Sequence, residues 1–351
     1  MKTSPVLRLL SAAARRSRLT RRSALVAGAA LPLVAVLRRP ANAAQFSLKM
    51  GDGQEPNHPV NVRARAAIAK IAKETSGAVE IKLFPNAQLG ADPDLITQLR
   101  NGGVDFINMG SDVLTTLVPA CAMLNLGFVF SDYGQVWKAM DGKLGAFIGG
   151  RIERVGLLQI GRSWDNGFRQ ITSATHPITT PESLHGFKIR VPPAPMLTSL
   201  FTALGASPTP VNFNELYSAL QTHLVDGEEN ALPIIATAKL YEVQKYCSMT
   251  NHSWDAYLIV ANKARFGQMP KKFQEIVTAA FDEGGTGERA DIASLSISLK
   301  KELMDKGMIF NDTQAGPFHA ALLKSPYYGQ WKQKFGAEQW KLLEDVVGHL
   351  A

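Results

Sequence analysis

From Phe46 onward, short runs of β-forming residues alternate with helical patterns, which restricts the chain to folds where helices cover a mostly parallel sheet. FSLKM (46–50) reads as a strand and leads into a helix whose apolar side carries Val62, Ala66, Ile68, Ala69 and Ala72. VEIKLF (79–84) is the next strand. A helix from Pro93 to Arg100 follows, opened by Asp92 as N-cap and Pro93 in the first turn, and VDFINM (104–109) closes the series.

A second series begins after a helix rich in Ile and Gly around 134–155. LLQIGRS (157–163), FRQITS (168–173) and FKIRV (187–191) read as strands, and MLTSLFTAL (196–204) as a helix ended by Gly205. NELYSALQTH (214–223) is helical, Asp226 and Gly227 mark a turn, and VQKYCSMT (243–250) and YLIVANK (257–263) are two more strands before helices run to the C-terminus. Two α/β units of similar size result, with no repeat or low-complexity linker between them, so the chain crosses between them more than once. Ligands of open α/β sheets gather at the carboxyl ends of strands, which directs attention to the loops after 109, 163 and 191.

The charge is not spread along the chain. The formal net charge is +8, yet nine cations and no acidic residue fall within the first 43 positions, and the remainder holds 29 basic against 30 acidic residues. A general attraction to nucleic acid or anionic membrane is thereby excluded for the body of the protein. Residues 1–43 have the parts of an export signal: a basic stretch to Arg22, an apolar run from Ala24 to Leu37, and Ala41-Asn42-Ala43 before a cleavage point. TRRSALV, beginning at Thr20, resembles the twin-arginine signal, although Ala24 stands where that signal usually has Phe. The run is interrupted by Pro32 and is too short to span a bilayer, and no later segment is long and apolar enough. Cys121 and Cys247, both in apolar contexts, read as two separately buried thiols.

Four blocks in order, LFPNAQLGADPDLITQL (83–99), SWDNGFRQITSATHPITTPESLHGFKIRVP (163–192), ALGASPTPVNFNELYSALQTHLVDGEEN (203–230) and KYCSMTNH (245–252), resemble the DctP-type solute-binding proteins of tripartite ATP-independent periplasmic (TRAP) transporters. The resemblance covers essentially all of the chain after the signal. It implies an α/β, two-lobed periplasmic-binding-protein-like fold of the type II class, each lobe a mostly parallel sheet flanked by helices, with segments crossing between lobes. Lobe I would be 44–167 with 256–295, and lobe II 168–255 with 296–351, including the C-terminal helices. The implied protein is a periplasmic monomer that closes on a small organic acid and hands it to the membrane permease subunits of a TRAP transporter, without cofactor, metal or nucleic acid.

The resemblance also assigns residues. The family's main carboxylate-binding arginine sits in KIRVP, here Arg190; a planar guanidinium offers a carboxylate two parallel donors and keeps its charge in a closed cleft. On its own, a basic residue alternating with apolar ones in a strand reads as a surface cation or a structural ion pair. The arginine of the WDNGFR block is Arg169, either a second ligand contact or a tie between the lobes, and Trp164 beside it is either a wall of the cleft or core. Phe213 is placed against the ligand and Asn230 beside a hydroxyl, keto or carboxylate oxygen, with Asn212 as substitute or supplement. Glu215 and Tyr217 read as structural. On the first lobe, the segment GDGQEPNHP (51–59) and the loop after Met109 (Gly110, Ser111, Asp112) face the cleft, with Ser111 and the backbone amides of a helix start as anion or hydroxyl partners and Glu55, Asn57 or His58 at the far end of the ligand, unless His58 merely caps the helix that follows. Cys121 and Gly127 depart from the family pattern, as does Trp254, which is expected to narrow the cleft.

Catalysis finds no support in the sequence: none of the seven histidines lies in HxxxH or HExxH, and CxxC, GxGxxG and GxSxG are absent. The competing readings are the binding protein of an ATP-driven importer, which would share the fold without the KIRVP and VDGEEN blocks, and a sensor that presents the same acid to a membrane kinase.

Overall fold

The structure is a computed structural model, and it describes residues 44–350. The export-signal reading of 1–43 therefore lies outside the described residues. Strands β1 (Phe46–Asp52) and β2 (Val79–Phe84) are joined by helix α1 (Pro59–Glu74), and α2 (Asp92–Asn101) leads to β3 (Phe106–Gly110). β1 pairs in parallel with both β2 and β3, as the alternation requires. α3 (Ser111–Leu114), α4 (Tyr133–Met140) and α5 (Lys143–Arg154) precede β4 (Leu157–Gln159) and β5 (Trp164–Ser173). Then come β6 (Lys188–Val191), α6 (Pro195–Ala203), β7 (Ser207–Pro210), α7 (Leu216–Gln221), β8 (Gly227–Asn230) and α8 (Leu232–Thr237). The chain finishes with β9 (Tyr246–Asn262), α9 (Lys263–Phe266), α10 (Lys271–Asp305), β10 (Ile309–Asp312), α11 (Ala315–Lys324), α12 (Tyr327–Phe335) and α13 (Ala337–Val347).

All strands join one mixed sheet with the order β2-β1-β3-β9-β5-β8-β6-β7, to which β4 and β10 add on β9. Its two halves are parallel arrays, β1 to β3 and β6 to β8, linked by the long antiparallel pair of β5 and β9. The two strands expected at 243–250 and 257–263 are thus one 17-residue strand running through both halves. Polar residues between those apolar runs mimic a loop in sequence but bond to β5 across the sheet. A bulge between Asp165 and Gly167 leaves Asn166 outside the ladder; Gly167 takes φ of 106°, a value that favours glycine.

Other expectations shift. The buried face of α1 is Val60, Ala64, Ala67 and Ile71, whereas Val62 is 46% exposed. An alanine-rich helix offers two faces of similar hydrophobicity, and packing on α10 and β2 decides between them. The helix around 134–155 is two helices separated at Asp141–Gly142. Asp92 is the first residue of α2; Ala91 is its N-cap, and the Asp94 carboxylate accepts the Ala91 N–H at 3.1 Å. Gly227 opens a strand, and a Cβ there would lie 2.1 Å from the Thr172 carbonyl oxygen. Both cysteines are free and buried. No described helix is long and apolar enough to cross a membrane.

Candidate functional site

Strands β3, β6 and β8 end where the two halves of the sheet meet along β5 and β9, and a cavity of about 30 Å³ lies there. Gln54, Asp92, Gly110, Asp112, Asn166 and Tyr257 come to it from the first half and the crossing strands; Arg190, Pro192, Phe213, Asn230 and Ile234 come from the second, with Arg169 from β5. The volume is that of about one liquid water. A ligand of several carbons therefore enters only as side chains move or the lobes part.

Arg190 lies at the end of β6 and is 1% exposed. Its Nε donates to the Val211 carbonyl at 2.8 Å, and no carboxylate oxygen of the described residues lies within 4.0 Å of it. Burial holds its pKa below the usual arginine value against the pull of Glu228 and Glu229. A guanidinium kept out of water without a counter-charge costs several kcal/mol, and an incoming anion would recover that cost.

Arg169 is equally buried but already paired. Its Nε and Nη2 grip the Glu229 carboxylate as a fork, Nη2 at 2.8 Å from Oε1, and Nη2 also donates to the Glu229 carbonyl at 2.8 Å. Only Nη1 is left toward the cavity, 3.7 Å from the Asp112 carboxylate. Burial would raise the Glu229 carboxyl, but the Arg169 charge and hydrogen bonds outweigh it and hold Glu229 at about 2. His252 adds a contact of 3.1 Å to the same carboxylate.

Asn230 lines the cavity with its Nδ2 donating to Glu228 at 2.6 Å, and Phe213 lines it as well. The remaining expected residues are not among those around this cavity. Trp164 belongs to the core between α1, β1 and α10, its indole pressed against Gly284 and Gly285, where a Cβ would come within 3.0 and 2.7 Å of the ring. Trp254 is core in the first half: its Nε1 donates to Asp165 at 2.9 Å and its ring meets Phe130 and Trp137 edge-on. Ser111 is fully buried and donates to Asp255, an unforeseen hub that also accepts from Asn125, Asn166 and the Asp112 N–H. Asn212 is the N-cap of the short turn at Phe213, and Glu55 is half-buried. His58 caps α1, accepting the Val60 N–H at 3.3 Å.

Sequence reasoning missed Asp92, Asn166 and Tyr257, whereas Gln54, Gly110 and Asp112 lie in the two first-lobe segments expected to face the cleft. Asp92 was read as a cap because Asp-Pro before a helix usually is one, and Tyr257 looked like an ordinary strand aromatic. No metal-holding group of His, Cys, Asp or Glu occurs among the described residues.

The buried carboxyls set a pH dependence. Burial pushes Asp52, Asp165 and Glu228 each up to about 7. Between the ordinary carboxylate range and pH 7 the folded protein keeps protons that the unfolded chain has released, so stability falls as pH rises through that window. Glu229 acts oppositely, its contribution being lost only as pH drops through about 2. We expect the melting temperature without ligand to be higher near pH 5 than near pH 8. Scanning calorimetry across that range tests this, and a rising Tm would refute it.

Residues 50–334 match the profile of the family described as "Bacterial extracellular solute-binding protein, family 7", DctP. The chain is 31% identical over 277 residues to the 2,3-diketo-L-gulonate-binding periplasmic protein YiaO of Escherichia coli, covering 79% of this chain and 84% of that one. It is 30% identical over 333 residues to the C4-dicarboxylate-binding periplasmic protein DctP of Rhodobacter capsulatus, covering 91% and 96%. Among solved structures, a TRAP periplasmic solute-binding protein from Sulfitobacter, with bound β-D-galacturonate, superposes with a TM-score of 0.82 at 28% identity, covering 86% of this chain and 100% of that one.

Proposed function

Since the chain belongs to the DctP family of bacterial extracellular solute-binding proteins, we propose that it captures a small organic acid between its lobes and delivers it to a TRAP-type membrane permease. The carrying observation is Arg190, a buried guanidinium with one backbone hydrogen bond and no carboxylate within 4.0 Å among the described residues. Arg190 anchors the ligand carboxylate through its two remaining nitrogens. Arg169, held rigid by Glu229, adds its Nη1 to the same positive wall, while Asn230 and Phe213 complete the pocket. We take the lobes as 44–167 with 256–295 and 168–255 with 296–351, with the hinge in β5 and β9, which run through both. Closure and reopening there load and release the acid, and no bond is made or broken.

Residues 1–43 serve as a twin-arginine export signal, and the processed protein works as a monomer in the periplasm of a Gram-negative-type cell. The support is the segregation of nine cations into that stretch and the family's extracellular character.

A thermal-shift screen tests the reading. Carboxylates that fit should raise the melting temperature, with a saturating ligand at a hundred times its Kd contributing about 2.7 kcal/mol. Neutral sugars and amines should leave it unchanged. Stabilisation by cations or metals alone would overturn the assignment.

A further inference from the structure

The cavity is not uniformly cationic. Its positive groups come from β5 and β6, whereas the surface supplied by the first half and the crossing strands carries the Asp92 and Asp112 carboxylates and the amide oxygens of Gln54 and Asn166, beside the Tyr257 hydroxyl, which can donate or accept. Asp92, at the start of α2, lines the cavity with no hydrogen bond and no cation within 4.0 Å among the described residues. It reaches this place because residue 53 is glycine: a Cβ there would lie 2.6 Å from Asp92 Oδ1. The same cavity is bordered by three residues that each carry a buried polar atom without a partner among the described residues: Gln54 Oε1, Asn166 Oδ1 and the Tyr257 hydroxyl. These residues are 8%, 3% and 2% exposed. The Asn166 amide is oriented by its Nδ2, which donates to Asp255 at 2.6 Å, so its oxygen is the free function. Asp112 is also present, its Oδ1 accepting the Val113 N–H at 2.7 Å and its Oδ2 3.7 Å from Arg169.

Buried polar atoms without partners are costly, and the Gln54 and Asn166 oxygens together with Asp92 can be satisfied only by ligand donors. Hydroxyl groups supply them. A second carboxylate supplies none and would meet Asp92 as a like charge in a site that excludes water, where such an encounter is strongly unfavourable.

We infer that the ligand is a monocarboxylate bearing hydroxyls on the carbons remote from its carboxylate, and that Asp92 is the residue that rejects dicarboxylates of the same length. The inference rests on the proposed binding of an organic acid by Arg190. It goes further by giving the site a polarity, with one end for the carboxylate and one for hydroxyls.

Calorimetry with matched pairs tests it: erythronate against tartrate and gluconate against glucarate, in which only the terminal CH2OH is exchanged for a carboxylate. The hydroxy acid of at least one pair should bind more tightly than its diacid by a factor on the order of ten or more. Asp92→Asn, which retains the shape and removes the charge, should shrink that ratio about tenfold, mainly by admitting the diacid. A cooperative melting transition close to that of the unaltered protein shows that the variant is folded. Equal or tighter binding of the diacids by the unaltered protein would overturn the inference while leaving organic-acid binding intact. So would an unchanged ratio in the variant, or binding of butanoate and benzoate with no gain from hydroxyls. If no carboxylate of any kind binds, the organic-acid reading itself fails.

Discussion

Replacing Arg190 with alanine is expected to weaken binding of the cognate acid by about 2–5 kcal/mol, roughly thirtyfold to several thousandfold, the range for leaving a buried partner charge unpaired. Without ligand the same change should leave the melting temperature unaltered or raise it. The reason is that Arg190 makes one hydrogen bond, to Val211, and has no carboxylate within 4.0 Å among the described residues. Its charge is a standing cost in the empty site, and Arg190→Met, which keeps most of the volume, should show the gain more clearly. Arg190→Lys keeps the charge and loses the two-pronged donor geometry, so its affinity should fall between the two. The pair of measurements is decisive because the two directions differ: affinity falls while stability does not. Unchanged affinity in calorimetry would remove Arg190 from the site.

Glu229→Ala should have the opposite character. The Glu229 carboxylate is fully buried and takes both arms of Arg169, so its removal strands a cation in the interior. Loss of one member of such a pair destabilises by about 3–5 kcal/mol, and for a chain of this size Tm should fall by roughly 10 °C. His252 loses a partner as well. The double variant Arg169→Met with Glu229→Leu should recover much of that stability, because both charges leave together, while ligand affinity still suffers from the missing Nη1. If Glu229→Ala melted at the wild-type temperature, the pair would not be the tie that fixes Arg169. The two arginines thus divide the work: one is held, and the other is left free to hold.

Several parts of this were legible in the residues. Alternation of strand and helix patterns carried the parallel arrays of β1 to β3 and β6 to β8, since periods of two and of 3.6 residues report which side of a segment is buried. The resemblance in KIRVP, WDNGFR, PTPVNF and VDGEEN pointed to Arg190, Arg169, Phe213 and Asn230, and all four border one cavity. The same reasoning missed the role of the large aromatics. Trp164 and Trp254 are apolar enough to suit either a cleft wall or a core, and only the glycine pair of α10 and the Asp165 acceptor decide for the core.

Sequence by itself determined the fold class, the near-neutral body once the first 43 residues are set aside, and the arginines. Tertiary structure alone decided which of those arginines is already satisfied and which is not, because Glu229 reaches Arg169 and, among the described residues, no carboxylate comes within 4.0 Å of Arg190. It also decided that Asp92, Gln54, Asn166 and Tyr257 converge on one cavity. Periodicity records that a side chain is buried, whereas the partner it is buried against comes from distant segments. Charge compensation depends on that partner's distance, a quantity fixed only when the two halves of the sheet close around β5 and β9.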